Sequence, residues 1–227
     1  MPAPFHPDLS ETSAPSAAVV TPILLELVDP KSVLDVGCGT GSWLRSFPHD
    51  VEVLGLDELP EDQVGGNYRR VSLAEDFDVG RHDLALCLEV AEHLPPASAE
   101  RLVASLTRAA PVIAFSAAIP GQDGFGHVNC QWPDYWRELF AAHGYQQYDV
   151  IRSRIWNDDR VVWWYAQNMF LYSATRSFEG DSIPERVVHP DCWEGSLLAS
   201  KSVSPNLSWL LRSLPDAIKR ALRRRLP

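Results

Sequence analysis

One stretch limits what this chain can fold into more than any other: VLDVGCGTGSWL, Val33 to Leu44. SVLDVG (32–37) is a short apolar run with β-branched residues, ended by glycines. That is the pattern of a buried strand. It delivers the chain to Gly37, Gly39 and Gly41. Glycines there allow a tight turn and let a ligand lie directly on the backbone. TGSWLRSF then suits a helix entered from the loop.

The rest of the chain repeats the theme. SAAVVTPILLELV (16–28) has apolar residues at helical spacing, and residues 1–15 read as a loose Pro/Ser/Ala arm before it. VEVLGLD (51–57), YRRVSL (68–73), HDLALCLEV (82–90) and PVIAFSAAI (111–119) read as further strands. PASAERLVASLTRAA (96–110) and PDYWRELFAAHG (133–144) read as helices, the second bounded by Pro133 and Gly144. YQQYDVIRSRIW and VVWWYAQNMFLYSA read as two successive strands pairing as an antiparallel hairpin at one edge. Strands alternating with helices predict a mostly parallel α/β sheet covered on both faces. The domain is expected over 16–175, with a C-terminal extension over 176–227.

Two carboxylates narrow the ligand of the glycine loop. Asp35 lies two positions before the first glycine, and Asp57 closes the next strand. A carboxylate at the second place can accept both hydroxyls of a ribose. A negative charge at the first repels a pyrophosphate and attracts a cationic amino group. Position 42 is Ser42, so the loop lacks the third glycine of the dinucleotide fingerprint. An adenosine cofactor carrying an ammonium and a sulfonium fits better than a dinucleotide.

VLDVGCGTGSWL followed by Asp57 resembles the first two motifs of the class I S-adenosylmethionine-dependent methyltransferases. The resemblance spans about residues 16–175. It implies a Rossmann-like sheet of seven strands in the order 3-2-1-4-5-7-6, the last strand antiparallel. It also implies that Gly37, Gly39 and Gly41 lie under the methionine part of S-adenosylmethionine. Asp35 would hold its amino group and Asp57 its ribose. Leu73 would border the adenine, and Leu88 and Glu89 would line the cofactor at the end of the fourth strand.

The acceptor is expected outside the carboxyl ends of the strands. Two loops there carry chemistry: LEVAEHLPP after strand four, and PGQDGFGHVNCQWPDYW (120–136) after strand five. Aromatic, amide and imidazole groups together suit a polar, ring-bearing acceptor such as a sugar, phenol or heterocycle. Removing a hydroxyl proton calls for a general base, for which His127 and His93 are the candidates. The E-x-x-E-H stretch of Glu89, Glu92 and His93 has three readings, one of them a helix cap with no ligand role. In many small-molecule methyltransferases that it resembles, such a stretch binds no metal and shapes the pocket. It also resembles a segment of the small-RNA 2′-O-methyltransferases, which implies a divalent ion held by Glu89, Glu92, His93 and His127. Mg²⁺ or Mn²⁺ would suit those donors.

Composition separates partners. The net charge is −10, yet Lys201, Arg212, Lys219, Arg220, Arg223, Arg224 and Arg225 stand against Asp216 alone at the C-terminal end. The body is therefore strongly acidic, which argues against a nucleic-acid partner and for a small-molecule or oligosaccharide acceptor. Small bacterial methyltransferases of this size resemble sugar and natural-product modifiers. Hydroxyl methylation of a sugar or glycan is the favoured reading, and a metal-free O- or N-methyltransferase of a small aromatic or amine metabolite is the alternative. A silent cofactor-binding module and a nicotinamide oxidoreductase are the readings from other classes. Cys38, Cys87, Cys130 and Cys192 form no CxxC pair, which suggests a reducing cytoplasm and no structural zinc. The basic helix of NLSWLLRSLPDAIKRALRRRLP has two readings, an appended helix packed on the domain or on a second subunit of a homodimer, and a peripheral membrane contact.

Overall fold

The computed structural model describes residues 10–64 and 66–202. Its centre is one seven-stranded sheet in the order β3-β2-β1-β4-β5-β7-β6. The strands are β1 (Ser32–Val36), β2 (Glu52–Asp57), β3 (Tyr68–Arg70), β4 (Leu84–Leu88), β5 (Val112–Ser116), β6 (Gln146–Tyr148) and β7 (Phe170–Ser173). β1 to β5 run parallel, and β7 pairs antiparallel with both β5 and β6. The expected order and the antiparallel edge are both present.

Period-two alternation splits the apolar runs between two cores. Leu34, Leu54, Ala85, Ile113 and Phe115 face α2 (Ala99–Ala109) and α3 (Pro133–Ala142), through Leu102, Leu106, Trp136 and Phe140. Val33, Leu84, Leu86, Val112 and Ala114 face α1 (Ser10–Val28), through Ala17, Val20 and Leu24. Burial on both faces explains why these strands read as continuous apolar runs. Truncating Phe115, which touches Trp136, Phe140 and Tyr172, would cost about 3–5 kcal/mol.

Four sequence expectations are corrected. Residues 10–15, assigned to the loose arm, are the first turns of α1 despite Pro15 inside the helix. Tertiary bonds hold that end down: the Ser13 hydroxyl lies 3.2 Å from the Tyr165 hydroxyl, and the Val162 N–H donates to Ser16 Oγ. The helix expected after the glycine loop is a single 3-10 turn, Leu44–Ser46. Gly41 is left-handed at φ 83 and Pro48 follows, so no room remains for a longer helix. The two long edge strands shrink to β6 and β7. Between them lie α4 (Arg152–Ile155) and α5 (Trp163–Asn168).

The expected extension over 176–227 also divides. The chain forms two compact units, split between Cys192 and Trp193. Within the first, buried Arg152 donates to Ile183 O and Pro184 O while pairing with Asp149. Residues 176–192 therefore belong to the sheet domain. The last helix among the described residues, α6, spans Pro190–Ser202. The basic stretch 205–227, with its membrane and homodimer readings, lies outside the described residues. Among the described residues no helix is long and apolar enough to cross a membrane.

Candidate active site

The glycine loop is fastened to β2. Gly37 N–H and Cys38 N–H donate to Leu56 O at 2.8 and 3.1 Å. Gly39 N–H donates to Asp57 Oδ2 at 2.8 Å. The other Asp57 oxygen accepts from the Glu58 and Leu59 amides. One carboxylate thus ties the loop to the tip of the neighbouring strand.

Asp35 is buried, and its Oδ2 has no hydrogen-bond partner. Burial, with the charge of Asp57 beside it, pushes its pKa up to about 8. A buried carboxylate without a donor is a place prepared for a cationic one. Asp35, Gly37, Gly39 and Asp57 line a cavity of about 660 Å³. Leu73, Leu88, Glu89 and His93 line it as well, so eight of the sequence-selected residues meet in one cleft. Gly41 does not line it and serves the turn behind.

The sequence reading missed Ser13, Trp43, Trp164 and Tyr165, which also line the cavity. Trp43 Nε1 lies 3.5 Å from the Tyr165 hydroxyl, with the rings edge to face at 5.2 Å. The paired tryptophans of VVWWYAQN are the one signal of an aromatic wall, but their strand-like composition hides the helix Trp163–Asn168.

Beyond β4 the chemistry changes. Glu89 is left-handed at φ 56, and its N–H donates to Ser116 O at 2.9 Å. Its carboxylate accepts from Asn168 Nδ2 at 3.1 Å and Gln122 Nε2 at 3.2 Å. Burial raises its pKa to about 7, partly opposed by these donors. Glu92 is fully buried, and neither carboxylate oxygen has a well-formed hydrogen bond. Burial first, and the Glu89 charge second, push its pKa well above the ordinary carboxylate range. Two carboxyls this close do not both ionise. Glu89, with its amide donors, keeps the charge, and Glu92 holds the proton.

The Glu92 carbonyl accepts from Val128 N–H and Asn129 N–H at 2.8 and 3.0 Å. This staples the loop after β5 onto the loop after β4 and brings His127 to His93, ring centroids 4.9 Å apart. Glu92, His93 and His127 have ligand atoms within 4.8 Å of one another. Glu89, expected as a fourth ligand, is not in that cluster; Asn168 and Gln122 hold its carboxylate. Once Glu92 gives up its proton, its orphaned oxygens and the two imidazoles form a donor set that fits a divalent ion.

A family model described as a methyltransferase domain matches residues 12–111. The sheet order, glycine loop and Asp57 agree with that match. The fold is that of the class I S-adenosylmethionine-dependent methyltransferases. A curated relative, the ubiquinone biosynthesis O-methyltransferase of Acinetobacter baylyi, is 31% identical over 120 residues, 43% of this chain and 50% of the relative. The chain thus spans about half the length of that relative. The sugar N-methyltransferase KedS8 from Streptoalloteichus has a TM-score of 0.55 at 18% identity, covering 70% of this chain and 87% of its own. A small RNA methyltransferase, HEN1, has a TM-score of 0.51 at 18% identity, covering 79% of this chain and 27% of its own. These likenesses share the fold and do not separate a sugar from an RNA acceptor.

Proposed function

We propose that this chain is a methyltransferase that moves a methyl group from S-adenosylmethionine to a hydroxyl of a sugar or glycan. The observation that carries the reading is a single cleft. A glycine loop, Asp57 and the unpartnered Asp35 stand at one side, and His93, shared with the His127 cluster, stands at the other. S-adenosylmethionine, when bound, supplies an electrophilic methyl carbon on a sulfonium.

The chain's own residues do the rest. Asp35 gives up its proton to accept an ammonium, and Asp57 accepts ribose hydroxyls. Trp43 and Tyr165 wall the cavity and keep water from the reacting carbon. His127 Nδ1 faces the Gln122 carbonyl at 3.1 Å, which leaves Nε2 to take the hydroxyl proton, and His93 orients the same hydroxyl. In a metal-assisted form Glu92, His93 and His127 would hold Mg²⁺ or Mn²⁺, His127 through the same Nε2, and the ion would supply Lewis acidity toward a sugar oxygen in place of the histidine base.

The relatives named for ubiquinone biosynthesis favour a second reading, a phenolic acceptor with no metal. Calorimetric titration with S-adenosylmethionine and with NAD, then mass spectrometry on glycosides, phenols, amines and RNA, separates these readings. Failure to bind S-adenosylmethionine at millimolar concentration would sink the leading one. Methylation that persists in EDTA, with Mn²⁺ affinity unchanged in Glu92→Gln, would remove the metal.

A further inference from the structure

Gln122 stands where the two sides of the cleft meet. It is buried in the turn after β5, its N–H donating to Ile119 O at 3.0 Å. Its Nε2 donates to Glu89 Oε2 at 3.2 Å. Its Oε1 accepts from Gln167 Nε2 at 3.1 Å and from Asn168 Nδ2 at 3.0 Å. Its backbone oxygen faces His127 Nδ1 at 3.1 Å.

Only one orientation of the amide works. A flip would set Oε1 against a carboxylate and Nε2 against two N–H donors. The Cys130 sulfur lies farther from Nδ1, at 3.7 Å, and the nearer backbone oxygen can only accept, so His127 carries its hydrogen on Nδ1 and keeps a lone pair on Nε2. Glu89 needs the support, because its left-handed backbone is one a glutamate rarely adopts.

The geometry points to Gln122 as a positioning residue that fixes, from one loop, both the carboxylate lining the cofactor cavity and the tautomer of the acceptor-side histidine. This rests on the methyltransferase reading and extends it. Asn168 supplies the contrast. It bonds Glu89 and the Gln122 side chain, and has no bond to His127.

The test uses the full chain and two readouts. S-adenosylmethionine affinity comes from calorimetry. The His127 tautomer comes from long-range proton–nitrogen spectra of ¹⁵N-labelled protein, its signal assigned by loss in His127→Asn. Wild type should show the Nδ1–H form. Gln122→Ala should weaken cofactor binding about tenfold, the effect of a lost hydrogen bond to a charged group. Alanine keeps the backbone oxygen but loses the side-chain bonds that hold it against the imidazole, so His127 should also shift toward the Nε2–H form usual in solution. Asn168→Ala should weaken cofactor binding and leave the tautomer alone. Gln122→Glu keeps the side-chain volume should the alanine variant not fold, and is expected to move both readouts the same way.

A wild-type His127 in the Nε2–H form would overturn the proposal. So would Gln122 variants whose thermal midpoint falls while affinity and tautomer stay put. A wild type that shows the Nδ1–H form but never binds S-adenosylmethionine would sink the methyltransferase reading instead.

Discussion

Gly39 and Gln122 each present an N–H to a carboxylate beside the same cavity, one from the backbone and one from a side chain. The first bond, to Asp57, spans 18 positions of chain and belongs to a loop whose φ angles set its shape. The second, to Glu89, spans 33 positions and belongs to a network of amides drawn from α5 and the loop after β5. The cofactor side is held by backbone geometry and the acceptor side by side-chain chemistry. It follows that the first should fail abruptly under small steric changes, whereas the second should fail by degrees, in cofactor affinity as well as in turnover.

The harshest break of this contrast is Gly37→Ala. Gly37 has φ 82, and an added Cβ would stand 2.3 Å from Val90 Cγ2. Left-handed strain and overlap with a stiff β-branched side chain sum to about 3 kcal/mol. Urea unfolding should show that loss, and S-adenosylmethionine binding should vanish in calorimetry. A variant with wild-type midpoint and affinity would mean that the backbone does not set this side.

Asp35→Asn comes next and is read by pH. The folded pKa of about 8 lies above the ordinary 3.8, so the folded chain without cofactor holds this proton more tightly than the unfolded one. The stability this contributes is complete below pH about 4 and is lost as pH rises toward about 8. Asp35→Asn should flatten the fall in thermal midpoint over that window. Cofactor affinity should drop roughly a hundredfold, as a charge-assisted bond to an ammonium is lost. An unchanged pH slope would show that Asp35 is hydrated or paired in solution.

How much of this was legible in the sequence follows the same division. Asp35, the glycines and Asp57 could be found because their spacing is local and each residue type answers one steric or electrostatic need. The strands themselves followed from apolar runs buried on both faces, and their order from the resemblance to the methyltransferase motifs. Tyr165, Gln167 and Asn168 could not be found, because VVWWYAQNMFLYSA is rich in residues that favour strands, and only Phe170–Ser173 pairs with β5. Gln122 gave no signal at all: its partners lie 33, 45 and 46 positions away. Ser13 was hidden in a segment whose prolines and serines read as a loose arm.

Gly124→Ala probes the acceptor side without touching the cofactor loop. An added Cβ would stand 2.1 Å from His127 Nε2, so the imidazole must leave its place. Gly124 is exposed, so stability should hardly change. Turnover should fall about a hundredfold, the usual contribution of a general base, while cofactor affinity stays within about twofold of wild type. Equal losses in affinity and turnover would show that the two sides are one rigid unit.

The smallest expected effect sharpens the comparison by testing a third element, the wall supplied by both ends of the domain. Ser13 on α1 and Tyr165 on α5 share one hydroxyl–hydroxyl contact at 3.2 Å, and both line the cavity. Ser13→Ala removes a neutral hydrogen bond worth about 1 kcal/mol. If that bond shapes the wall against the cofactor, S-adenosylmethionine affinity should fall about fivefold, and Tyr165→Phe should give the same loss without adding to it in the double variant. If the bond only pins α1 to the sheet, both variants should lower the unfolding midpoint and leave affinity alone. The cofactor side would then owe its binding to the glycine loop and the Asp35 and Asp57 carboxylates without help from this wall, and the contrast with the acceptor side would be complete.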